Sequence, residues 1–570
     1  MSVEHPALHR NLASAERFEQ RVVHSALWAA AGDALGWITE LSRGQSGIEH
    51  RAGVTSVQEP ISWKRTIGGR NGPRVNLPAG TYSDDTQLRL AVSRSIRGNG
   101  AFDVEAFAKI EVTVWPTYAL GGGLGTKAAA LNLSRRGVNW FSNFFNSGAQ
   151  QYVNGGGNGA AMRIQPHVWA SRGTEDLILN VMRDSLVTHG HPHGFCGAVF
   201  HALALINTIE NGEIPGPNIW TSFAEQFENL SKLIARDPQL ATFWRSAWEN
   251  DAGASLDNAL LAIRDEALRD IDQVAELVEN PSESSYRSVL ERLGCLTPQF
   301  RGSGFKTALA ALALARIHRK GDVEQSLVQA ANEFDSDTDT IGTMTGALLG
   351  AISSRPPEWK IQDREYIIRE AKRLAAIALK LPQDSFTYPD LGRWNPPTKQ
   401  TASIGLSNGG FAIAGLGALI PSGIEYPAGD AIWQWFALPF GQTILAKRRV
   451  EVKNKIPIEQ LPGLRQEPRV VQRAQKSERL IAESQSKLPL ENDRGEGGVR
   501  DAKASSLTDQ RSVRDVIDAW SDEIIHSNFD DRTLGRLLNR CIESTQSIEQ
   551  AIALAAIVAK AKLARQRRRG

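Results

Sequence analysis

The chain has 570 residues, 41% hydrophobic and 22% charged, with a formal net charge of +2. At roughly 100 to 200 residues per domain that length predicts about three units, and near neutrality excludes a bulk polyanion binder. Three widely spaced cysteines, Cys196, Cys295 and Cys541, exclude a disulfide framework and point to a reducing cytoplasm.

Taken in chain order, residues 1–20 are rich in charge and lack an apolar signal core. No segment offers about 18 uninterrupted apolar residues, so no membrane span is expected. Residues 16–42 read as a helix, with Phe18, Val22, Ala26, Ala30 and Ala34 at helical spacing. Further helices are predicted over 84–96, 104–118, 175–188, 197–209, 219–235, 254–278, 284–293, 305–317, 323–333, 341–353 and 364–379. Long alternating runs are scarce, so the body, residues 1–382, reads as all-α, a compact helical bundle.

After Pro382 the character changes. Residues 383–450 are rich in Gly, Pro, Trp and Phe and read as short strands or a compact irregular subdomain appended to the body. Residues 451–510 are polar and read as a linker. Residues 511–570 regain helical pattern: Val513, Val516, Ile517, Trp520 and Ile524 share a face, and Ser547 with Gln550 makes a capping box. This module is a candidate surface for a partner or for oligomerisation. Its basic tip, Lys562, Arg565, Arg567, Arg568 and Arg569, reads as a solvated helix end, with a phosphate-contacting tail as the alternative.

The chemistry lies in the loops. In "NEFDSDTDTIGTMTGALLGA", Asp335, Asp337 and Asp339 alternate before a helix of small residues. Capping explains one acid there, but three repel one another unless a cation neutralises them. An EF-hand fails on spacing, because Thr340 and Gly346 stand where Gly and Glu are needed. In "TYSDDTQLRLAVSRSI", Ser83, Asp84 and Asp85 also precede a helix. The two segments together form a candidate two-metal site, and hydroxyl and carboxylate oxygens favour Mg²⁺ or Mn²⁺ over zinc.

Gly32, Asp33 and Gly36 lie on a predicted helix whose small residues allow close approach, with Glu40 at its exit. Gly155, Gly156, Gly157 and Gly159, and a second run from Gly121 to Thr126, give a backbone free to wrap a phosphate. The first is not a P-loop, since GK[ST] is missing. In "VTHGHPHG", His189, His191 and His193 have a spacing that could suggest a metal site, but Gly190 and Pro192 break regular geometry and the segment reads as a turn.

Taken in order, these segments resemble the ADP-ribosylglycohydrolase family, which includes dinitrogenase reductase-activating glycohydrolases and vertebrate ADP-ribosylhydrolases. The matching pieces are GDALG…E (32–40), SDDT (83–86), GNGAAMR (157–163), THGHP (188–192) and DTDT (337–340), within residues 20–355. The resemblance implies a compact all-α fold and two cations held by Ser83, Asp84 and Asp85 on one side and by Asp337, Asp339 and Thr340 on the other. It implies Glu40, Asp85 and Asp337 as catalytic residues. It implies a diphosphate near Gly122, Gly123, Gly125, Gly155 and Gly156, with Asn158 and His189 lining the site. The expected activity is hydrolysis of the glycosidic bond between ADP-ribose and a modified protein. The alternatives are an ADP-ribose-binding protein without catalysis, or a hydrolase of ADP-ribosylated nucleic acid guided by the basic C-terminus. An inserted helical section is expected at 211–298.

Overall fold

The arrangement of this chain begins with a run of glycines on two helices. In a computed structural model, which describes residues 6–463 except 43, 70 and 172, and 509–567 except 546 and 547, helix α1 (Pro6–Thr39) lies against α6 (Thr338–Ile352). A β-carbon on Gly32 would stand 2.1 Å from the Gly342 carbonyl oxygen, and one on Gly36 would stand 2.3 Å from that of Thr338. Gly346 and Gly350 meet the backbone of Trp28 and His24 in the same way. Glycine is required by proximity here, because nothing larger fits between the two backbones. Ser25 Oγ donates to the Ala347 carbonyl at 2.8 Å, and Thr338 Oγ1 donates to that of Gly36 at 2.8 Å.

Around this pair stand α2 (Asp84–Ser95), α3 (Pro192–Asn211), α4 (Leu256–Glu279), α5 (Gly304–Ile317) and α7 (Arg364–Ala378). The body is all-α, as its periodicity predicts. Residues 211–298 are largely helical, with α4 their longest element. The 104–118 stretch departs from a plain helix: α, π and 3₁₀ turns follow one another through it. A short hairpin of β1 (Trp63–Thr66) and β2 (Arg74–Leu77), not anticipated from sequence, covers one end. A further two-residue pair, β3 (Asn146–Ser147) and β4 (Gln150–Gln151), precedes the glycine-rich loop.

Beyond residue 383 the chain forms a five-stranded antiparallel sheet in sequence order: β5 (Ile404–Ser407), β6 (Gly410–Ile413), β7 (Gly417–Ala428), β8 (Ala431–Ala437) and β9 (Thr443–Arg449). Ile413, Phe436 and Ile444 of the sheet share a core with Ile110, Val114 and Trp115 of the body. Arg94 and Glu111 form a buried ion pair at 2.8 Å, and Arg94 also donates to Gln442 at 2.7 Å.

The described residues before 464 make one compact unit and those from 509 a second. The second is three helices, α8 (Asp509–His526), α9 (Asp531–Thr545) and α10 (Ile548–Arg567), around Ile517, Ile524, Phe529, Leu537, Cys541 and Leu554. Most of the expected linker, the capping Ser547, and Arg568 and Arg569 of the basic tip lie outside the described residues. Among the described residues no helix is long and apolar enough to cross a membrane. Cys196, Cys295 and Cys541 are free and buried.

Gly36→Ala should lower the unfolding midpoint by the equivalent of about 1–3 kcal/mol or more, because the methyl must displace backbone. Gly137→Ala, where a β-carbon meets nothing within 4 Å, should leave it unchanged. Thermal melts of the two variants compare them directly, and equal midpoints would contradict the close-contact account.

Candidate active site

The α1–α6 contact delivers two acidic segments to one place. Asp337 is the N-cap of α6, and Asp339 and Thr340 are buried in its first turn. Asp33, also buried on α1, accepts from the Ser83 amide at 2.8 Å, the Thr86 amide at 2.9 Å and the Thr86 hydroxyl at 2.6 Å. The start of α2 is thus hung from a carboxylate on α1. Arg89 completes this support by donating to Thr86 Oγ1 at 2.6 Å. Ser83 caps α2, its Oγ accepting from the Asp85 amide at 3.2 Å, and Asp84 and Asp85 occupy the first turn. Both acidic segments therefore meet the positive ends of their helices.

The electrostatics identify the neighbours. Burial, then Glu40 and Asp33, push the Asp84 carboxyl up to about 7. Burial together with Asp33, Asp84 and Asp337 holds Asp85 well above the carboxylate range. Burial, Glu40, Asp337 and Asp85 do the same to Asp339. Carboxyls drawn from both segments thus raise one another, as a shared site requires. Asp335 does not take part, because it lies exposed in the turn before α6. The alternation of three acids in sequence becomes two inward acids and one solvated acid.

Glu40 is not merely solvated. Its Oε2 accepts from both terminal nitrogens of Arg65 at 3.0 Å, and the Arg65 guanidinium lies 5.1 Å from the Trp37 ring centroid. Arg51 caps the carbonyls at the end of α1, including that of Glu40 at 2.6 Å. The ion pair and the ring together hold Glu40 beside the acidic centre.

The glycine-rich loop forms the other wall. Asn158 Nδ2 donates to Asp337 Oδ2 at 3.1 Å, and its backbone amide donates to the Gly302 carbonyl at 2.9 Å. Gly155, Gly156, Gly157 and Gly159 are not at positive φ. They are small because their neighbours are close: a β-carbon on Gly156 would lie 3.0 Å from His191 Nδ1, and one on Gly159 would lie 3.0 Å from His189 Cε1. His189 is buried beneath the loop, and burial lowers its pKa to about 3, leaving it neutral with Nδ1 2.7 Å from Thr188 Oγ1. Arg163 ties loop to turn, donating to the Gly159 carbonyl, Asp184 and Thr188 Oγ1.

Two expectations from sequence are corrected here. The turn expected at 189–193 ends sooner than expected: Pro192 opens α3, with His191 as its N-cap, so His193 is helical. Leu124 and Gly125 belong to a helix, Leu124–Leu133, rather than to an open glycine loop. In that run Gly121, at φ 106°, is the residue against the acidic centre: a β-carbon there would stand 2.4 Å from Asp84 Oδ1. At Gly122, with φ 89°, it would strike the Trp115 ring, while Gly123 faces open space and Gly125 comes no nearer than 3.9 Å to Gln150. Asp33 and Arg65 were not singled out from sequence as site residues. Asp33 had a signal, an acid amid "AAAGDALGW"; Arg65 had none.

The donor chemistry fits hard divalent cations. Asp85 Oδ2 is buried without a hydrogen-bond partner. The clustered acids outnumber the cations that act on them, Arg65, Arg89 and Lys127. Among the described residues no three His, Cys, Asp or Glu side chains are already drawn together as a metal cage, so the fit rests on the oxygen donors and on their unbalanced charge.

Hydroxyl and carboxylate oxygens from two helix starts are thus gathered beside a glycine-rich wall in an all-α body. The chain belongs to the ADP-ribosylglycohydrolase family, whose model matches residues 14–384. The ADP-ribosyl-[dinitrogen reductase] glycohydrolase of Rhodospirillum rubrum is 30% identical over 174 residues, 30% of this chain and 52% of that protein. The chain thus spans about half the length of that relative. ADP-ribosylhydrolase ARH3 of Xenopus tropicalis is 25% identical over 297 residues, covering 50% of this chain and 78% of that one. YegU of Escherichia coli (strain K12), an uncharacterized protein, is 26% identical over 347 residues, 58% and 87% of the two chains. A solved structure, an "ADP-ribosylglycohydrolase-related protein complex", aligns at a TM-score of 0.38 and 22% identity over 64% of this chain and 99% of that one.

The raised carboxyls set a pH dependence. Asp84 has an ordinary value of 3.8 and stands at about 7 in the fold, so the native state holds the extra proton between those limits. Stability from this group is therefore present below about 4 and is lost as pH rises towards about 7. In EDTA, Asp84→Asn should melt above wild type at pH 8, and the gap should close at pH 4. Added Mg²⁺ should raise the wild-type midpoint at pH 8. Parallel melting curves for the two proteins across this range would contradict the account.

Proposed function

We propose that this protein is a hydrolase that releases ADP-ribose from a modified protein by cleaving the glycosidic bond at the distal ribose. The observation that carries the reading is the convergence of Asp84 and Asp85 with Asp337 and Asp339, beside Glu40, in a chain of this family. Ser83, Asp84 and Asp85 on one side and Asp337, Asp339 and Thr340 on the other would hold two Mg²⁺ or Mn²⁺ ions. When bound, such ions supply the positive charge that balances these carboxylates and polarises ribose hydroxyls.

The chain's own groups do the rest. Asn158 orients Asp337, and Asp33 orients the Ser83–Thr86 turn. Glu40 or one of the aspartates takes the proton from the attacking water. Gly121, Gly155 and Gly156 leave backbone surface that a diphosphate can approach, with Asn158 beside it. The acceptor side chain leaves with the proton returned to it, and water adds at the anomeric carbon.

Asp337→Asn and Asp85→Asn should each reduce ADP-ribose release by about a hundredfold or more while circular dichroism stays native. The assay is a panel of defined ADP-ribosylated proteins, linked through arginine or serine, with Mg²⁺ and with EDTA. Wild-type turnover in both variants would sink the assignment, as would full activity in EDTA.

A further inference from the structure

A cavity of about 970 Å³ lies apart from the acidic centre. It lies where the sheet meets the body, between the 355–364 segment, the Pro78–Thr81 turn and Ser422, Trp435 and Thr443 of β7, β8 and β9. It shares no lining residue with the acidic cluster. Its size is in the range of small-molecule sites, about 300–1,000 Å³.

Three features of the lining describe an occupant. Trp359 and Trp435 are both half-buried and offer indole surface to the cavity. Trp359 is steadied edge-on against Trp28, with ring centroids 6.0 Å apart. Trp435 lies opposite Ser422, where the β7–β8 register shifts between Ser422 and Glu425, and such a bulge re-aims side chains.

The charge is one-sided: Arg355, Lys360 and Arg364 stand against Glu358. Arg355 is paired with Asp322, at 3.1 Å, whereas Lys360 and Arg364 have no ion-pair partner among the described residues. Finally, Gln362 on the wall donates through Nε2 to Thr443, at 2.9 Å to its carbonyl, while its Oε1 is buried with no partner. An orphaned acceptor of this kind asks for a donor from a ligand.

We propose that this cavity is a second binding site, for a nucleotide. A planar ring has the Trp surfaces, an anionic phosphate has Lys360 and Arg364, and a ring amine or sugar hydroxyl has Gln362 Oε1. The Pro78–Thr81 wall runs directly into Ser83, so an occupant touches the turn that leads to the acidic centre.

The test is calorimetry on the full chain with AMP, adenosine and inorganic phosphate as probes, in EDTA. AMP should bind saturably, and adenosine and phosphate should each bind at least tenfold more weakly. The double variant Lys360→Ala/Arg364→Ala should weaken AMP at least tenfold, with an unchanged melting midpoint and unchanged ADP-ribose release. Asp337→Asn should bind AMP as wild type does. The proposal is overturned by an absence of saturable AMP binding, by AMP binding that ignores the double variant, or by AMP binding lost in Asp337→Asn, which would place the ligand at the acidic centre. None of these outcomes depends on whether the acidic centre hydrolyses ADP-ribose.

Discussion

The backbone contact between α1 and α6 is the constraint on which the rest depends. Helices usually stand about 8–10 Å apart because side chains intervene. Here Gly32, Gly36, Gly342, Gly346 and Gly350 remove those side chains, and backbone rests on backbone. The direct consequence is positional. Asp33 and Glu40 at one end of α1 are brought level with Asp337 and Asp339 at the start of α6. A wider spacing would leave Thr338 unable to reach the Gly36 carbonyl at 2.8 Å, and would separate the two acidic groups that now raise one another's pKa.

That proximity carries an electrostatic penalty that the fold only partly offsets. Helix N-termini at α2 and α6 favour negative charge nearby, by roughly 0.3–1 kcal/mol each. The charge of Arg89 acts on Asp33 and Asp85, and Arg65 holds Glu40. Burial first, and then the remaining repulsion, leave carboxyls that prefer their protons. Sites that concentrate strain of this kind are where function is placed, since neutralisation by a bound cation converts the penalty into affinity. The neutral, buried His189 contributes no charge to this balance; it supports the loop that presents Asn158.

Much of this was legible in the sequence, and the limits are physical. The helices of the body were legible because apolar residues recur along them at helical spacing. The acidic segments were legible as a pair, because helix capping explains one acid at a helix start and leaves the others without a structural reason. What sequence spacing could not show is contact. Asp335 looks equivalent to Asp337 and Asp339, and only the turn before α6 sends it to solvent. Arg65 sits on an unanticipated strand of four residues, too short for an alternation signal, yet it fixes Glu40. The glycines at 155–159 were read as conformational freedom, whereas His189 and His191 at about 3 Å make them a matter of space.

The sheet beyond residue 383 bears on the acidic centre through one half-buried carboxylate. Asp363, in a left-handed conformation at φ 56°, precedes α7. It accepts from the Tyr82 hydroxyl at 2.6 Å, from the Thr443 amide at 2.8 Å and from the Thr443 hydroxyl at 2.7 Å. Tyr82 immediately precedes Ser83, and Thr443 opens β9. One side chain therefore fixes the approach to the Ser83–Asp85 turn relative to both α7 and the sheet. Removing it would leave the Tyr82 hydroxyl and the Thr443 amide without their acceptor, and a buried polar group so orphaned costs about 1–3 kcal/mol. The family model ends at residue 384, but the hydrogen bonds that hold the first acidic turn do not end there. The sheet is physically part of what positions the site, whatever else it binds.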